Sequence, residues 1–343
     1  MKRVLHDLLL ICLLSIILAC SKEPIPGGGD SSLNPTNPLE PGLHLGVVGH
    51  PLNQEAYKKL SPAAQITLIK SLGMNIYRIG AAISPSTGKM NMHERYLELK
   101  HSADSAGITI LPMVPAKLDF NDTETKSYQA GYDRANKYAS VYKDDFIYYN
   151  IANELDNKCI LPNKSGVSRS DYDTAKFKII AAHLKGMNDG IKAVDNNAQT
   201  MINACWMHYQ YLLMLEEYGV DFDIVAYHWY DDMEKLALKT YNITDISQFL
   251  SEKFTKPIWF TEVNIRNYKG TTADEIQRDF LNSFITKCKN NPQVKALIIY
   301  ELFNQPVFKN SESYYGLFDW VKPYSDYIPK LWAKEITDYK AHY

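Results

Sequence analysis

From Leu43 to the C-terminus of this 343-residue chain, short apolar runs alternate with segments of helical spacing. The apolar runs are Leu43–Val48, Asn75–Ile79, Ile108–Val114, Phe146–Ala152, Gln199–Ala204, Phe222–His228, Pro257–Thr261 and Val294–Glu301. Near-continuous apolar runs of this length suit parallel strands covered on both faces. Helical spacing runs over Pro62–Leu72, Met92–Ala106, Ala130–Tyr142, Tyr172–Val194, Tyr209–Tyr218, Ile246–Lys253 and Ala273–Lys289, with a closing helix over Ile328–Tyr339. Gly73 and Gly107 follow two of these segments, where a left-handed helix stop is expected. Eight strand–helix units in about 300 residues predict one (β/α)8 TIM barrel of the α/β class, residues 43–343. The rival doubly wound sheet would place a glycine-rich phosphate loop after an early strand. Here strand one is followed by Gly-His-Pro-Leu-Asn-Gln (49–54). Neither G-x-G-x-x-G nor a Walker sequence occurs, so no nucleotide cofactor is expected.

The N-terminal segment reads as targeting sequence. Lys2 and Arg3 precede the apolar run Leu8–Leu18, which is short for a bilayer span and is flanked like a signal peptide, residues 1–19. Ile17-Leu18-Ala19-Cys20 looks like a bacterial lipobox, in which Cys20 becomes the lipidated N-terminus. Residues 20–42 are rich in Pro, Gly, Ser and Asn and read as a flexible tether that cannot bury a core. Ser21, where Asp would signal retention, fits a lipid anchor in the outer membrane, facing the periplasm or the exterior. The membrane is then a partner through the lipid alone. A net charge of −2 gives no reason to expect nucleic acid. Of five cysteines, Cys12 leaves with the signal and Cys20 takes the lipid. Cys159, Cys205 and Cys288 lack the C-x-x-C spacing of a zinc site and are expected to be buried free thiols, and no metal is expected.

The polar residues that could carry chemistry sit at strand ends. Glu154 closes Tyr-Tyr-Asn-Ile-Ala-Asn-Glu (148–154), and Glu262 closes Ile-Trp-Phe-Thr-Glu (258–262). In a barrel every strand's C-terminal end opens on one mouth, a poor place for packing and a good one for chemistry. Two carboxylates on strands four and seven suit the acid and nucleophile of a paired-carboxylate glycosidase. Asn153 precedes Glu154 at the end of strand four, Arg78, His228 and Tyr230 end other strands on the same face, and Glu301 is a third strand-end carboxylate. Aromatic residues make up 12% of the chain. Trp206, Trp229, Tyr300 and Phe303 are candidates for rings that stack on sugars, and equally for core.

Taken in order, Arg in strand two, Asn-Glu after strand four, His-x-Tyr after strand six and Glu ending strand seven resemble the retaining glycoside hydrolases of clan A, families 5 and 39 in particular. The resemblance covers residues 43–343. It implies hydrolysis of β-linked poly- or oligosaccharide by a two-glutamate double displacement, endo-acting and monomeric. On it, Glu154 is the acid/base and Glu262 the nucleophile. Asn153 binds the sugar 2-hydroxyl, Arg78 lies beneath the nucleophile, Tyr230 hydrogen-bonds Glu262, and His228 lines the same subsite. Mutual repulsion would raise the pKa of Glu154 while Glu262 stays charged. The clan's Trp at the end of strand eight is replaced here by Tyr300, with Glu301 beside it as a specificity residue. A surface glycan-binding lipoprotein on a retired barrel is the alternative reading. Walls of the cleft are expected from segments 80–92, 115–130, 156–171, 229–245, 264–272 and 303–323.

Overall fold

The computed structural model describes residues 38–266, 272–322 and 324–341. The expected signal peptide, Cys20 and most of the tether lie outside the described residues. Eight parallel strands close into a barrel in sequence order: β1 (His44–Gly49), β2 (Ile76–Gly80), β3 (Thr109–Val114), β4 (Tyr148–Ile151), β5 (Gln199–Cys205), β6 (Ile224–Tyr230), β7 (Ile258–Asn264) and β8 (Val294–Ile299), with β8 pairing back onto β1. The helices are α1 (Glu55–Lys58), α2 (Pro62–Ser71), α3 (His93–Ala106), α4 (Glu124–Tyr142), α5 (Asp156–Cys159), α6 (Thr174–Lys192), α7 (Tyr209–Tyr218), α8 (Asp231–Tyr241), α9 (Ile246–Ser251), α10 (Ala273–Lys289) and α11 (Leu331–Ala341). This is the expected (β/α)8 barrel.

Strand alternation divides the core into two parts and sets the polar layer above one of them. Outward residues such as Tyr77, Ile79, Tyr149, Ile151, Phe260 and Leu297 join the large cluster beneath the helices. Inward residues, among them Ile76, Tyr148, Met201, Ala226 and Trp259, fill the barrel as a separate cluster. A period of two then places the next inward residue of each strand one layer nearer the mouth. That residue is Arg78 above Ile76, Asn150 above Tyr148, Asn203 above Met201, and His228 then Tyr230 above Ala226. β7 breaks the parity. Strict alternation from Trp259 would send Thr261 inward and Glu262 out to the helices. Instead Tyr227 pairs with Phe260 and His228 with Glu262, so Thr261 is the extra residue of a bulge. A bulge re-aims the side chains that follow it, and here it turns Glu262 into the mouth.

Several elements depart from expectation. α4 starts at Glu124 rather than Ala130, because the Thr123 hydroxyl caps it by accepting from Lys126 N at 3.3 Å. The expected loop 229–245 contains α8, whose first turn carries Asp231, Asp232 and Glu234 and which stops at Asn242 with φ 56°. Acidic residues at a helix N-terminus are favoured by its dipole. Segment 303–323 is no simple loop: it leads into an antiparallel hairpin of β9 (Phe318–Lys322) and β10 (Asp326–Pro329). The hairpin takes the start of the expected closing helix, which begins at Leu331 instead. The end of the tether is also not free chain. Leu39 packs against the bottom of the barrel interior, and its N–H donates to Tyr148 Oη at 3.1 Å. Cys159, Cys205 and Cys288 are buried free thiols.

Candidate active site

The arginine of β2 organises the mouth. Arg78 is 3% exposed and uses three nitrogens on three elements. Nε donates to Asn150 Oδ1 at 2.8 Å, Nη1 to Glu262 Oε1 at 2.7 Å, and Nη2 to Asn153 Oδ1 at 2.7 Å. A planar guanidinium is the one side chain that can hold this geometry. Tyr230 Oη donates to the other oxygen, Glu262 Oε2, at 3.1 Å. Glu262 is thereby fixed at both oxygens in a pocket where it is 8% exposed. A buried guanidinium–carboxylate pair of this kind is expensive to break from one side, about 3–5 kcal/mol.

Glu154 is the more open of the two, with its side chain 28% exposed. Its backbone is left-handed at φ 46°, as is that of Ala152 at 62°, a conformation that side-chain-bearing residues adopt only when held there. Part of the hold is Asn203: Glu154 N–H donates to Asn203 Oδ1 at 3.1 Å. That bond fixes the Asn203 amide, so its Nδ2 faces Asn153 Oδ1 at 3.2 Å and His228 Nε2 at 2.7 Å. His228 Nε2 must then accept, and its ring proton lies on Nδ1. From there it donates to Glu154 Oε1 at 2.8 Å, with Glu262 Oε2 3.4 Å away. Asn157 Nδ2 donates to Glu154 Oε2 at 3.1 Å.

Two expectations are corrected at this point. His228 is wholly buried and lines no subsite; it spans the two glutamates instead. Glu154 is not raised by repulsion. Burial pushes its carboxyl up, but the hydrogen bond from His228, helped by the charge of Arg266, brings it below the usual carboxylate range. Asn153 is exposed, and with its Oδ1 taken twice, its Nδ2 is the group left for a ligand.

The β8 side differs from the sequence reading. Glu301 faces no ligand: it is wholly buried. Its Oε2 accepts from Tyr57 Oη at 2.7 Å and from Gln305 Nε2 at 2.8 Å, while Oε1 has no partner. Burial pushes its pKa up to about 8, with smaller contributions from Glu312 and Glu262. His50, just past β1, brings Nε2 within 3.4 Å of Glu301 Oε2, and burial takes its pKa down to about 4. Between those values both groups are uncharged, so the contact is no ion pair near neutral pH.

The aromatic candidates separate by exposure. Trp229 is 1% exposed and Phe303 is fully enclosed, so neither can be a sugar platform. Trp229 backs Trp206 (centroids 6.3 Å apart, planes at 12°), and Phe303 stacks on Trp320 under the β9–β10 hairpin. Trp206 and Tyr300 remain partly open. The Tyr300 ring stands edge-on to His50 at 6.1 Å, and its hydroxyl donates to Glu312 Oε2 at 2.9 Å.

Sequence reading missed Asn150, Asn203, His50, Asn157 and Glu312. Asn150 and Asn203 carried a usable signal, each being a polar side chain at an inward position of an apolar strand. The other three lie in loops or short turns whose path no periodicity gives. Among the described residues, two trios bring one metal-capable atom each to within 4.8 Å of one another: Glu154, His228 and Glu262; and Asp156, Cys205 and His208. In the second, Asp156 Oδ2 already accepts from His208 Nδ1 at 2.6 Å.

A closed (β/α)8 barrel with two glutamates facing each other across its mouth has the layout of a barrel glycosidase. Residues 173–337, from the start of α6 into α11, match the model of the glycosyl hydrolase catalytic core. No curated protein sequence matches the chain significantly. Solved structures with the same fold include the hyperthermophilic β-glucosidase of Pyrococcus furiosus (13% identity, TM-score 0.66, covering 89% of this chain and 96% of that one). Xylanase 10B of Thermotoga maritima is similar at 16% identity and TM-score 0.62, covering 91% and 97%. The β-glycosidase BGL167 gives 13% and 0.63, covering 89% and 98%. At these identities the likeness speaks to the fold. The family match and the carboxylate pair support a glycoside hydrolase.

Proposed function

We propose that the chain is a retaining β-glycosidase that cleaves β-linked poly- or oligosaccharide with endo action, with Glu154 as acid/base and Glu262 as nucleophile. The observation that carries this reading is the short span between them: an oxygen of Glu154 and one of Glu262 lie within 4.8 Å. Retaining enzymes keep their carboxyl groups about 5–5.5 Å apart, whereas inverting ones leave about 6.5–9.5 Å for a water. In the first step a Glu262 oxygen bonds to the anomeric carbon. The bond from that carbon to the glycosidic oxygen breaks, and the oxygen takes the proton of Glu154. In the second step water attacks the same carbon, Glu154 takes its proton, and the bond to Glu262 breaks. Arg78 and Tyr230 hold Glu262 in line throughout. Asn153 Nδ2 is placed to donate to the 2-hydroxyl, a contact that strengthens as the ring flattens.

Proton NMR of the first-formed product tests the stereochemistry: β product is expected, and an α product sinks the retaining reading. Product profiling on a panel of β-glycans tests the mode, with a ladder of oligomers for endo action and monosaccharide alone against it. The lipobox-like Ile-Leu-Ala-Cys supports outer-membrane anchoring through Cys20, with the barrel acting as a monomer. Cys20→Ala should release the protein from membranes; a variant that stays membrane-bound removes the anchor from the proposal.

A further inference from the structure

Beyond the two glutamates, a third carboxylate faces the mouth. Glu312 lies in the excursion between β8 and β9, on a short turn (Ser311–Tyr314) that Asn310 caps by accepting from Glu312 N at 3.0 Å. Its Oε2 accepts from Tyr300 Oη at 2.9 Å. The Tyr300 ring packs on Tyr315 at 5.7 Å, Tyr315 on Tyr230 at 5.9 Å, and Tyr230 Oη reaches Glu262 at 3.1 Å. Glu312 therefore stands on the β8 rim of the cleft that holds Glu262. Burial raises its carboxyl first, opposed by the Tyr300 bond, and the charges of Glu262 and Glu154 raise it further. So both glutamates feel it.

This is a poor place for a carboxylate with only a structural task. Glu312 is half-buried, and among the described residues its Oε1 has no protein partner and no cation lies within ion-pair distance of it. Arg78 is spent on Glu262, and Arg266 pairs with Asp232 at 3.4 Å and lies over the Tyr230 ring, lowering the Glu312 carboxyl only through its charge at a distance. An unpaired acceptor in an acidic, partly dry cleft is matched by hydroxyl donors and opposed to anions.

Resting on the glycosidase reading, we propose that Glu312 contacts the substrate and sets specificity, its Oε1 accepting hydroxyls of the sugar bound beside Glu262 and its charge selecting neutral sugars over uronic acids. Tyr300 is the positioning residue that aims it. A site built to accept from a hydroxyl discriminates far more strongly than an apolar wall, by about 10²-fold or more.

The test compares 4-nitrophenyl β-glucoside and β-glucuronide, and their oligosaccharide counterparts, as substrates of the full chain. Wild type should favour the neutral sugar in kcat/KM. Glu312→Gln should lower kcat/KM on the neutral sugar by about 30-fold or more, and Glu312→Lys should narrow the neutral-to-uronide ratio at least tenfold. Tyr300→Phe should give a smaller loss of the same kind, mainly in KM. Thermal midpoints within a few degrees of wild type would show the variants folded. A wild type that prefers glucuronides, or a Glu312→Gln variant within threefold of it on both sugars, overturns the inference while leaving the glycosidase reading intact. If nothing is hydrolysed, that reading fails first. Calorimetric titration with deoxynojirimycin then decides this one: tenfold weaker binding in Glu312→Gln supports it. Equal binding, or none by wild type, overturns it.

Discussion

Glu262 and Glu301 end neighbouring strands of one barrel, β7 and β8, and both are nearly closed off from solvent. Their chemistry is opposite. Glu262 meets a guanidinium at 2.7 Å and a phenol at 3.1 Å, which aim its carboxylate across the mouth. Glu301 meets only uncharged groups, Tyr57, Gln305 and His50, and burial carries it to about 8, so at neutral pH it is a carboxylic acid. A strand-end glutamate is thus not a catalytic feature in itself. The residue across the barrel decides, and here that is whether Arg78 is within reach.

Neutralising each carboxylate in turn separates the two roles most strongly. Glu262→Gln should cost on the order of 10⁴-fold in kcat, as nucleophile loss does elsewhere. Glu154→Gln should cost about 10²–10⁴-fold, the usual worth of a general acid. Glu301→Gln, which keeps the size and the bond from Tyr57, should leave kcat/KM within about threefold, the small change expected of a group outside the reacting shell. Steady-state kinetics on one substrate decides all three, and equal losses at positions 262 and 301 would erase the distinction. Arg78→Met comes next. It should lower kcat about 10²–10³-fold, because Glu262 loses its positioning partner and its charge becomes uncompensated. A loss confined to KM would show that Arg78 only binds sugar.

Stability offers a second contrast, smaller and of predictable sign. The pKa of Glu301 rises from an ordinary 4.5 to about 8 on folding. Its contribution is therefore fully present below about 4.5 and is lost as pH climbs through 8, by an amount on the order of 3–5 kcal/mol. Glu301→Gln has no such loss. Relative to wild type it should gain stability between pH 5 and 8.5 in denaturant melts. His50, lowered to about 4, gives an opposite slope between about 4 and 6.5, but it does so in both proteins and drops out of the difference. Parallel curves for the two proteins would mean that Glu301 is charged in the fold.

How much of this was legible in the chain follows from period and parity. The eight alternating units gave the barrel, because apolar strand runs leave few other ways to bury themselves. Arg78 and Asn153 could be placed from strand ends alone. Exposure could not: Trp229 and Trp206 read alike as sequence, and only the packing of one ring behind the other separates core from wall. Glu262 was recognised by position although simple alternation points it the wrong way, since the bulge at Thr261 leaves no mark in residue type. Glu301 misled because a carboxylate at a strand end looks the same whether its opposite number is Arg78 or Tyr57. Glu312 was invisible, for it comes from an irregular excursion of the chain.

The histidine between the two glutamates gives the finest test. His228 Nδ1 donates to Glu154, and that bond is the leading cause of the lowered pKa of Glu154, against the opposing effect of burial. Glu154 must carry a proton to act as acid in the first step, so the alkaline limb of kcat/KM follows its pKa in the free enzyme. Removing the donor in His228→Phe favours the protonated form, and the limb should move to higher pH by about one unit. kcat on an activated aryl leaving group, which needs little acid help, should fall less than on an oligosaccharide. If the limb moves down instead, or stays while kcat collapses on both substrates, His228 serves the charge of Glu262 at 3.4 Å rather than the proton of Glu154. His228 would then join Arg78 as a residue that positions Glu262.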